Sequence, residues 1–188
     1  MQKIISLFQR NYDGDRLVRD EVVPGAEWVI NGEGIATRKW DGTCCKIENG
    51  ILYKRYDAKN GKTPPTGFIP AQDPDPVTGH WPGWIEVSAT AKEDKWFRQA
   101  LEGYGDVGAE FEDGTYELCG PRINGNPERL EKHILIRHGH HPIEDLPRTF
   151  YHIGSFLSVA GIEGIVWHHP DGRMVKIKAK DFGIKRAR

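Results

Sequence analysis

The stretch that organises the chain is Thr37-Arg38-Lys39-Trp40-Asp41-Gly42-Thr43. It places one lysine between two segments predicted as strands, directly before an Asp-Gly pair that is typical of a tight turn. A lysine in this position is either an ordinary surface charge or a nucleophile directed into a cleft. The Lys-x-Asp-Gly spacing does not separate these interpretations by itself, because three fixed residues recur by chance in many proteins.

The residues after this stretch predict a β-hairpin. Residues 43–47 and 51–56 flank Asn49-Gly50, which is the strongest short signal for a two-residue hairpin turn. Because side chains alternate along a strand, Cys45 and Ile47 are expected to share one face. The hairpin therefore lies directly behind Lys39 in the chain and includes Arg55 in its second strand.

The rest of the chain alternates predicted strands with two predicted helices. Apolar spacing predicts the helices, with Gly161 as the stop signal of the second one. Two further hairpins are predicted, one joining residues 108–111 to 115–118 and one around Pro170-Asp171-Gly172. The predicted strands are 1–8, 27–30, 34–37, 84–87, 115–118, 133–137, 163–167 and 174–178, and the predicted helices are 91–101 and 147–160.

Residues 57–82 are rich in proline, glycine and aspartate, and we predict that they form a long mobile loop. At 188 residues the chain is long enough for a buried core, and we expect one domain over residues 1–188. We expect no separate carboxyl-terminal OB-type domain, because little chain follows Lys178.

Composition indicates a protein of the cell interior. No apolar run approaches the roughly 20 residues that span a bilayer, so we expect no membrane partner and a cytoplasmic (intracellular) location. The net charge is -1, but residues 173–188 contain seven basic residues and one acid, a pattern suited either to phosphates or to a solvated face.

Cysteine and histidine spacing gives little support for a metal centre. The three cysteines include the adjacent Cys44 and Cys45, and no Cys-x-x-Cys spacing occurs. His138, His140 and His141 lie close together, but no carboxylate or cysteine stands near them at ligand spacing in the sequence. We expect these histidines to form a polar loop near the substrate.

Five stretches taken in order resemble the motif series of the covalent nucleotidyltransferases, which comprise ATP-dependent DNA and RNA ligases and mRNA capping enzymes. The local sequence is most similar to a group of small ATP-dependent RNA ligases that includes a vertebrate enzyme. The resemblance spans roughly residues 37–178. The stretches are Lys39-Trp40-Asp41-Gly42, Tyr53-Lys54-Arg55-Tyr56, Thr115-Tyr116-Glu117-Leu118-Cys119-Gly120, Glu163-Gly164-Ile165-Val166-Trp167 and Val175-Lys176-Ile177-Lys178.

The resemblance implies a role for each matched residue. Lys39 is implied as the nucleophile, and Lys176 and Lys178 as phosphate-binding catalytic lysines. Glu163 is implied as a carboxylate for Mg²⁺ (or Mn²⁺), with Glu117 as a second metal candidate. Arg55 and Glu117 are implied to contact the nucleotide sugar or its surroundings, and Thr37 and Arg38 to lie beside the adenine. The remaining implied nucleotide-binding residues are Asp41 and Gly42.

Each of these residues also has an ordinary structural interpretation. Glu117 could serve a turn, Glu163 could be a charge at a strand edge, and Arg55 could form a surface salt bridge. Period-two alternation places Lys176 and Lys178 on one face of a strand, which ordinarily means a solvent-exposed face. The functional interpretation is favoured by the combination and order of the residues.

Lysine chemistry explains why extra cations near Lys39 would be useful. A lysine must be deprotonated to attack phosphorus, yet its reference pKa is about 10.4. One positive charge about 5 Å away, at an effective dielectric near 20, contributes about 3 kcal/mol, or about two pKa units. We therefore expect Lys176 or Lys178 to lower the pKa of Lys39 and to neutralise the phosphates.

The resemblance implies an α+β fold, a nucleotidyltransferase (ATP-grasp-like ligase adenylation) core of antiparallel sheets flanked by a few helices. It also implies an ATP-dependent RNA ligase that joins 5′-phosphate and 3′-hydroxyl RNA ends through a lysyl-AMP intermediate. Three alternatives stay open. The first is a GTP-dependent capping-type guanylyltransferase, and the second is an AMP-transferring enzyme that acts on an acceptor other than RNA. The third is a non-catalytic RNA-binding module that never forms the covalent adduct.

Overall fold

The structure of the protein is a computed structural model that describes residues 3–105 and 111–186. Within that part of the chain, strands outnumber helices. The elements in chain order are β1 (Ile5–Ser6), β2 (Phe8–Arg10), β3 (Val18–Val22), α1 (Glu27–Ile30), β4 (Ile35–Lys39), β5 (Thr43–Glu48), β6 (Ile51–Ala58), β7 (Ile69–Pro70), β8 (Trp81–Glu86), α2 (Lys95–Gly105), β9 (Gly114–Cys119), β10 (Ile134–Arg137), α3 (Phe150–Ala160), β11 (Gly164–His168) and β12 (Met174–Lys178), with 3₁₀ turns at Lys92–Asp94 and Ala179–Phe182.

The chain divides into two compact units. One comprises Met1–Lys3 and Asp41–His138, and the other comprises Ile4–Trp40 and Gly139–Arg188. We call them the hairpin unit and the lysine unit, after the Asn49-Gly50 hairpin and Lys39 that they respectively contain. That the chain forms a single nucleotidyltransferase domain stays a prediction.

The hairpin unit is built on a six-stranded antiparallel sheet with strand order β10-β9-β5-β6-β8-β7. One face of this sheet packs against α2. Burial of apolar side chains between the sheet and the helix is the main stabilising contribution here. The buried residues of this core are Cys45, Ile47, Leu52, Phe97, Ala100, Tyr116, Leu118, Ile123 and Leu135.

The lysine unit contains a four-stranded sheet with order β1-β12-β11-β4, in which only the β1–β12 pair is parallel. A separate two-stranded sheet pairs β2 with β3. Ile153 and Leu157 of α3 are buried with Ile165 and Ile177 of the four-stranded sheet, all at 1% exposure or less. The opposite face of that sheet is therefore not covered by α3.

The architecture confirms an α+β fold of mostly antiparallel sheets with few helices. The Asn-Gly hairpin is confirmed, with positive φ at both Asn49 (53°) and Gly50 (75°). The β11–β12 hairpin is also confirmed, and its alternation buries Val175 and Ile177. Among helices with described residues, none is long and apolar enough to span a membrane.

The prediction of a strand at residues 27–30 is wrong, because α1 occupies this segment. The Asn31 N–H donates to the Glu27 carbonyl at 3.0 Å, and Trp28 and Val29 are both buried in the core of the lysine unit. A strand would have directed these two neighbours to opposite faces. Packing therefore overrides the β-propensity of Trp-Val-Ile.

Two predicted helices need corrected boundaries, and one predicted strand cannot be compared. The helix predicted at 147–160 begins at Phe150, because the Thr149 side chain accepts a hydrogen bond from the His152 N–H and caps it. The helix predicted at 91–101 begins as a 3₁₀ turn and continues to Gly105. The first strand of the hairpin predicted at 108–118 lies almost wholly outside the described residues.

Residues 57–82 are more ordered than the predicted loop. The strands β6 and β8 take up both ends of this segment, and β7 pairs with β8 inside it. Phe68 packs edge-on against Tyr56 and Trp81, at ring distances of 6.1 Å and 5.2 Å. The segment therefore has structure of its own, and its mobility stays a prediction.

Candidate active site

Strand register brings two lysines to either side of one glycine in the lysine unit. Gly164 at the start of β11 pairs with Lys39 on β4 and with Lys178 on β12. Directly paired residues point to the same face, so the two lysine side chains share the face that α3 does not cover. Gly164 puts no side chain between them.

A side chain at position 164 would not fit. A Cβ added to Gly164 would lie 2.1 Å from the Ile177 carbonyl oxygen and 2.9 Å from the Lys178 Cα. Both are backbone atoms, which cannot rotate away. The close approach of β11 to β12 beside Lys178 therefore requires glycine.

Glu163 connects the two lysines. The Lys39 ammonium donates to Glu163 Oε2 at 2.6 Å, and the Lys178 ammonium donates to Oε1 at 2.5 Å. Lys39 also donates to the Trp40 carbonyl at 3.3 Å. Both oxygens of one carboxylate are thus engaged by separate ammonium groups, which fixes the position of Lys39.

The two lysines decide the ionisation state of Glu163. Burial on its own raises the pKa of this carboxyl, but the charges of Lys39 and Lys178 outweigh burial and hold the pKa below its ordinary value. At an effective dielectric near 20, one unit charge about 4 Å away contributes about 4 kcal/mol, so two such neighbours can exceed the burial cost. Glu163 is therefore ionised at neutral pH.

Lys176 extends the same face. It pairs with Val166 on β11, which in turn pairs with Thr37, two residues before Lys39. Burial, followed by the positive charges of Lys178 and Lys39, lowers the pKa of Lys176 to about 8. We call Lys39, Glu163, Lys176 and Lys178 the lysine cluster, and three cations against one anion suit it to a negatively charged ligand.

The lowered pKa of Lys176 predicts how a substitution at this position changes the free energy of unfolding. Because the folded protein holds the Lys176 proton less tightly than the unfolded chain, the charged lysine destabilises the fold at neutral pH. That cost, about 3 kcal/mol at most, is fully present below pH 8 and is lost as the pH rises toward 10.5. Lys176→Met should therefore raise the free energy of unfolding at pH 7.

Denaturant unfolding at pH 7 and at pH 10 checks this prediction. The gain from Lys176→Met should be about 2–3 kcal/mol at pH 7 and should shrink strongly at pH 10. Lys180→Met, at an exposed position, is the matched control and should change stability by less than about 0.5 kcal/mol at either pH. A loss of stability in Lys176→Met at pH 7, or a gain independent of pH, would contradict the prediction.

Thr37 and Arg38 point to opposite faces of β4. Thr37 lies on the face of Lys39, is 2% exposed, donates to the Val166 carbonyl at 3.1 Å and contacts His168 Nε2 at 3.1 Å. Arg38 lies on the other face, with its guanidinium 3.8 Å from the centre of the Trp40 ring. Of the two, only Thr37 shares a face with the lysine cluster.

The Asp41-Gly42 turn belongs to the hairpin unit and is held by a loop that the sequence did not single out. The Asp41 N–H donates to Glu128 Oε1 at 2.9 Å. The Asn124 amide donates to Asp41 Oδ1 at 3.1 Å and to the Gly42 carbonyl at 2.9 Å. Asn124 and Glu128 therefore fix the turn that follows Lys39 in the chain.

Glu117 lies on β9 in a polar cluster of the same unit. It is 8% exposed, its Oε1 accepts the Gly42 N–H at 3.1 Å, and its Oε2 is 2.9 Å from His138 Nε2. Cys44 pairs directly with Glu117 across β5 and β9. His138 therefore has carboxylate and cysteine neighbours that sequence spacing does not reveal, because they come from neighbouring strands.

Arg55 lies on β6 of the hairpin unit, opposite Trp84 on β8. Its guanidinium is 5.1 Å from the centre of the Trp84 ring, within the range of a cation–π contact. Trp84 is 2% exposed, so the indole is a fixed support for the arginine. Arg55, Glu117, Asp41 and Gly42 thus belong to one unit, and the lysine cluster with Thr37 belongs to the other.

Donor chemistry distinguishes the two candidate ligands for Mg²⁺. Glu163 offers an ionised carboxylate among groups that suit phosphate, and Mg²⁺ prefers such oxygen ligands together with substrate phosphates. Mn²⁺ suits the same oxygen ligands. Glu117 lies beside a thiol and an imidazole, which favour softer cations. Glu163 therefore fits Mg²⁺ better than Glu117 does.

The chain is similar to known proteins over most of its length. The family model described as RNA ligase 1 matches residues 107–187, which include Glu117, Glu163, Lys176 and Lys178. Proteins named RNA ligase 1 from Rattus norvegicus, Mus musculus and Danio rerio are each 28% identical to the chain, and each alignment covers 80% of this chain and 67% of the relative. The chain is therefore similar to proteins named RNA ligase 1 over most of its length.

Proposed function

We propose that the protein is an ATP-dependent RNA ligase in which Lys39 forms a covalent lysyl-AMP intermediate. The observation that carries this proposal is the lysine cluster. One carboxylate holds the Lys39 amine in place, and two further lysines lie on the same face to meet phosphates. Similarity to proteins named RNA ligase 1 supports the joining of RNA ends.

In the first step, the Lys39 nitrogen attacks the α-phosphorus of ATP. A nitrogen–phosphorus bond forms, the bond to the bridging oxygen breaks, and pyrophosphate leaves with the electron pair. The displaced lysine protons pass to solvent. Glu163 positions the amine and is a poor general base, because its pKa lies below its ordinary value and far from neutral pH.

Lys176 and Lys178 stabilise the transition state of that step. Negative charge develops on the α-phosphate oxygens and on the departing pyrophosphate, and preorganised cations stabilise such charge. When bound, Mg²⁺ would add to this neutralisation, with Glu163 as the residue that would hold it. Arg55 and Glu117 are proposed for contacts with the nucleotide sugar or its surroundings.

The next two steps transfer and then release AMP. An oxygen of the RNA 5′-phosphate attacks the adenylyl phosphorus, the nitrogen–phosphorus bond breaks, and Lys39 recovers a proton. The 3′-hydroxyl of a second RNA end then attacks the activated 5′-phosphate. A phosphodiester bond forms, the bond from that phosphorus to the AMP oxygen breaks, AMP leaves with the electron pair, and the hydroxyl proton passes to solvent.

Nucleotide choice separates this proposal from its alternatives. We expect α-labelled ATP with Mg²⁺ to label the protein, and α-labelled GTP not to label it. Addition of 5′-phosphate RNA should move the label to RNA and produce joined product. Labelling by GTP alone would favour a capping-type guanylyltransferase, and ATP labelling without any transfer to RNA would favour an acceptor other than RNA.

A further inference from the structure

Three neighbouring strands of the hairpin unit bring a thiol, a carboxylate and an imidazole together. Cys44 on β5 is directly opposite Glu117 on β9, and His138 directly follows β10, the strand on the other side of β9. One ligand atom from each of these residues lies within 4.8 Å of the other two. We call this set the thiol triad.

Hydrogen bonds orient two members of the thiol triad. His138 Nε2 donates to Glu117 Oε2 at 2.9 Å, and Nδ1 lies 3.0 Å from Thr115 Oγ1. A cation would displace the Nε2 proton, and a proton on Nδ1 would then be donated to the Thr115 hydroxyl. The other carboxylate oxygen, Oε1, accepts the Gly42 N–H. A second partner of this kind is what fixes the tautomer and ring orientation of metal-bound histidines.

We propose that Cys44, Glu117 and His138 bind a thiophilic divalent cation of the Zn²⁺ class. Zn²⁺ accepts thiolate, imidazole and carboxylate ligands in one tetrahedral site, and three protein ligands leave a fourth position open. A thiolate ligand disfavours Mg²⁺, which takes oxygen ligands. The thiol triad therefore discriminates between Zn²⁺ and the Mg²⁺ proposed for catalysis.

A regulatory consequence rests on the proposed function. Glu117 is proposed there for contacts with the nucleotide sugar, and a cation on its Oε2 would occupy the same carboxylate. Bound Zn²⁺ and bound nucleotide then compete, so Zn²⁺ inhibits lysyl-AMP formation and additional ATP relieves the inhibition. Mg²⁺ at the same concentration does not inhibit.

Titration of the full chain with Co²⁺ alone tests metal binding, because Co²⁺ reports a bound thiolate through a charge-transfer band in the near ultraviolet. The wild type should show the band, and Cys44→Ser should lose it. Cys119→Ser is the matched thiol control and should retain it. Absence of the band in the wild type, or its persistence in Cys44→Ser, would overturn the proposal.

Two histidine variants and one threonine variant test the rest of the site. Thr115→Val should weaken Co²⁺ binding by about 10–100-fold, the usual effect of losing an outer hydrogen bond to a ligand. His138→Gln should weaken it further, and His140→Gln, at an exposed position, should bind as the wild type does. Equal affinity of His138→Gln and His140→Gln would remove His138 from the site.

Competition is measured separately, so that the two proposals can fail independently. Zn²⁺ should reduce wild-type labelling by α-labelled ATP, and the Zn²⁺ concentration needed should rise with ATP concentration. If the wild type shows the Co²⁺ charge-transfer band but is never labelled by α-labelled ATP, the metal site is supported and the proposed function is contradicted. Labelling that proceeds unaffected while Zn²⁺ saturates the triad would overturn the competition.

Discussion

Lys39→Ala is expected to reduce ATP-dependent joining of RNA ends by at least about 10⁴-fold, the scale on which loss of a covalent nucleophile acts. The Lys39 amine donates to Glu163 Oε2 at 2.6 Å, whereas Lys178 donates to the other oxygen, Oε1. Lys180→Ala removes an exposed lysine and should leave joining within about twofold. Gel analysis of labelled RNA measures the rates.

The same variant should still seal RNA whose 5′ end already carries AMP. In the proposed mechanism, Lys39 is consumed and restored before the 3′-hydroxyl attacks, so this last step needs no lysyl-AMP. Lys39→Ala should therefore retain most of the sealing of adenylylated RNA without ATP. Unchanged ATP-dependent joining in Lys39→Ala would show that the nucleophile has been assigned to the wrong residue.

Gly164→Ala is expected to destabilise the protein by about 3 kcal/mol, at the upper end of overpacking effects. The added Cβ would lie 2.1 Å from the Ile177 carbonyl oxygen, so β11 and β12 must separate. That separation moves Glu163 and Lys178 apart from Lys39. We therefore also expect a fall in lysyl-AMP formation of about 100-fold, equivalent to about 3 kcal/mol of lost transition-state stabilisation.

Gly103→Ala is the matched control for that variant. Apart from its own helix backbone and its chain neighbours, a Cβ at Gly103 on α2 would meet none of the described atoms within 4 Å, so this change should be neutral or stabilise the helix by up to about 1 kcal/mol. Thermal unfolding and α-labelled ATP labelling measure the two effects. Wild-type stability in Gly164→Ala would mean that the strands tolerate a side chain at this position.

Sequence reasoning succeeded where a local pattern determines the structure. Period-two alternation in β12 was enough to separate Lys176 and Lys178 from the buried Val175 and Ile177. The Asn49-Gly50 pair was enough to fix the hairpin, because few residues adopt positive φ at both turn positions. Both features depend on residues close together in the chain.

Sequence reasoning failed where partners come from distant parts of the chain. The contact of His138 with Glu117 and the pairing of Cys44 with Glu117 depend on which strands are neighbours, and no linear spacing encodes that. The hydrogen bonds that join Asn124 and Glu128 to Asp41 likewise connect residues far apart in the chain. Trp28 and Val29 were misassigned because burial in a shared core overrode their local propensity.

Peptide mapping of the labelled protein tests the central claim most directly. The wild type is incubated with ATP and Mg²⁺, digested and analysed by mass spectrometry for an adenylyl group on lysine. We predict one adduct, on Lys39, that disappears when 5′-phosphate RNA is added. An adduct on Lys176 or Lys178, or joining of RNA without any adduct, would contradict the account.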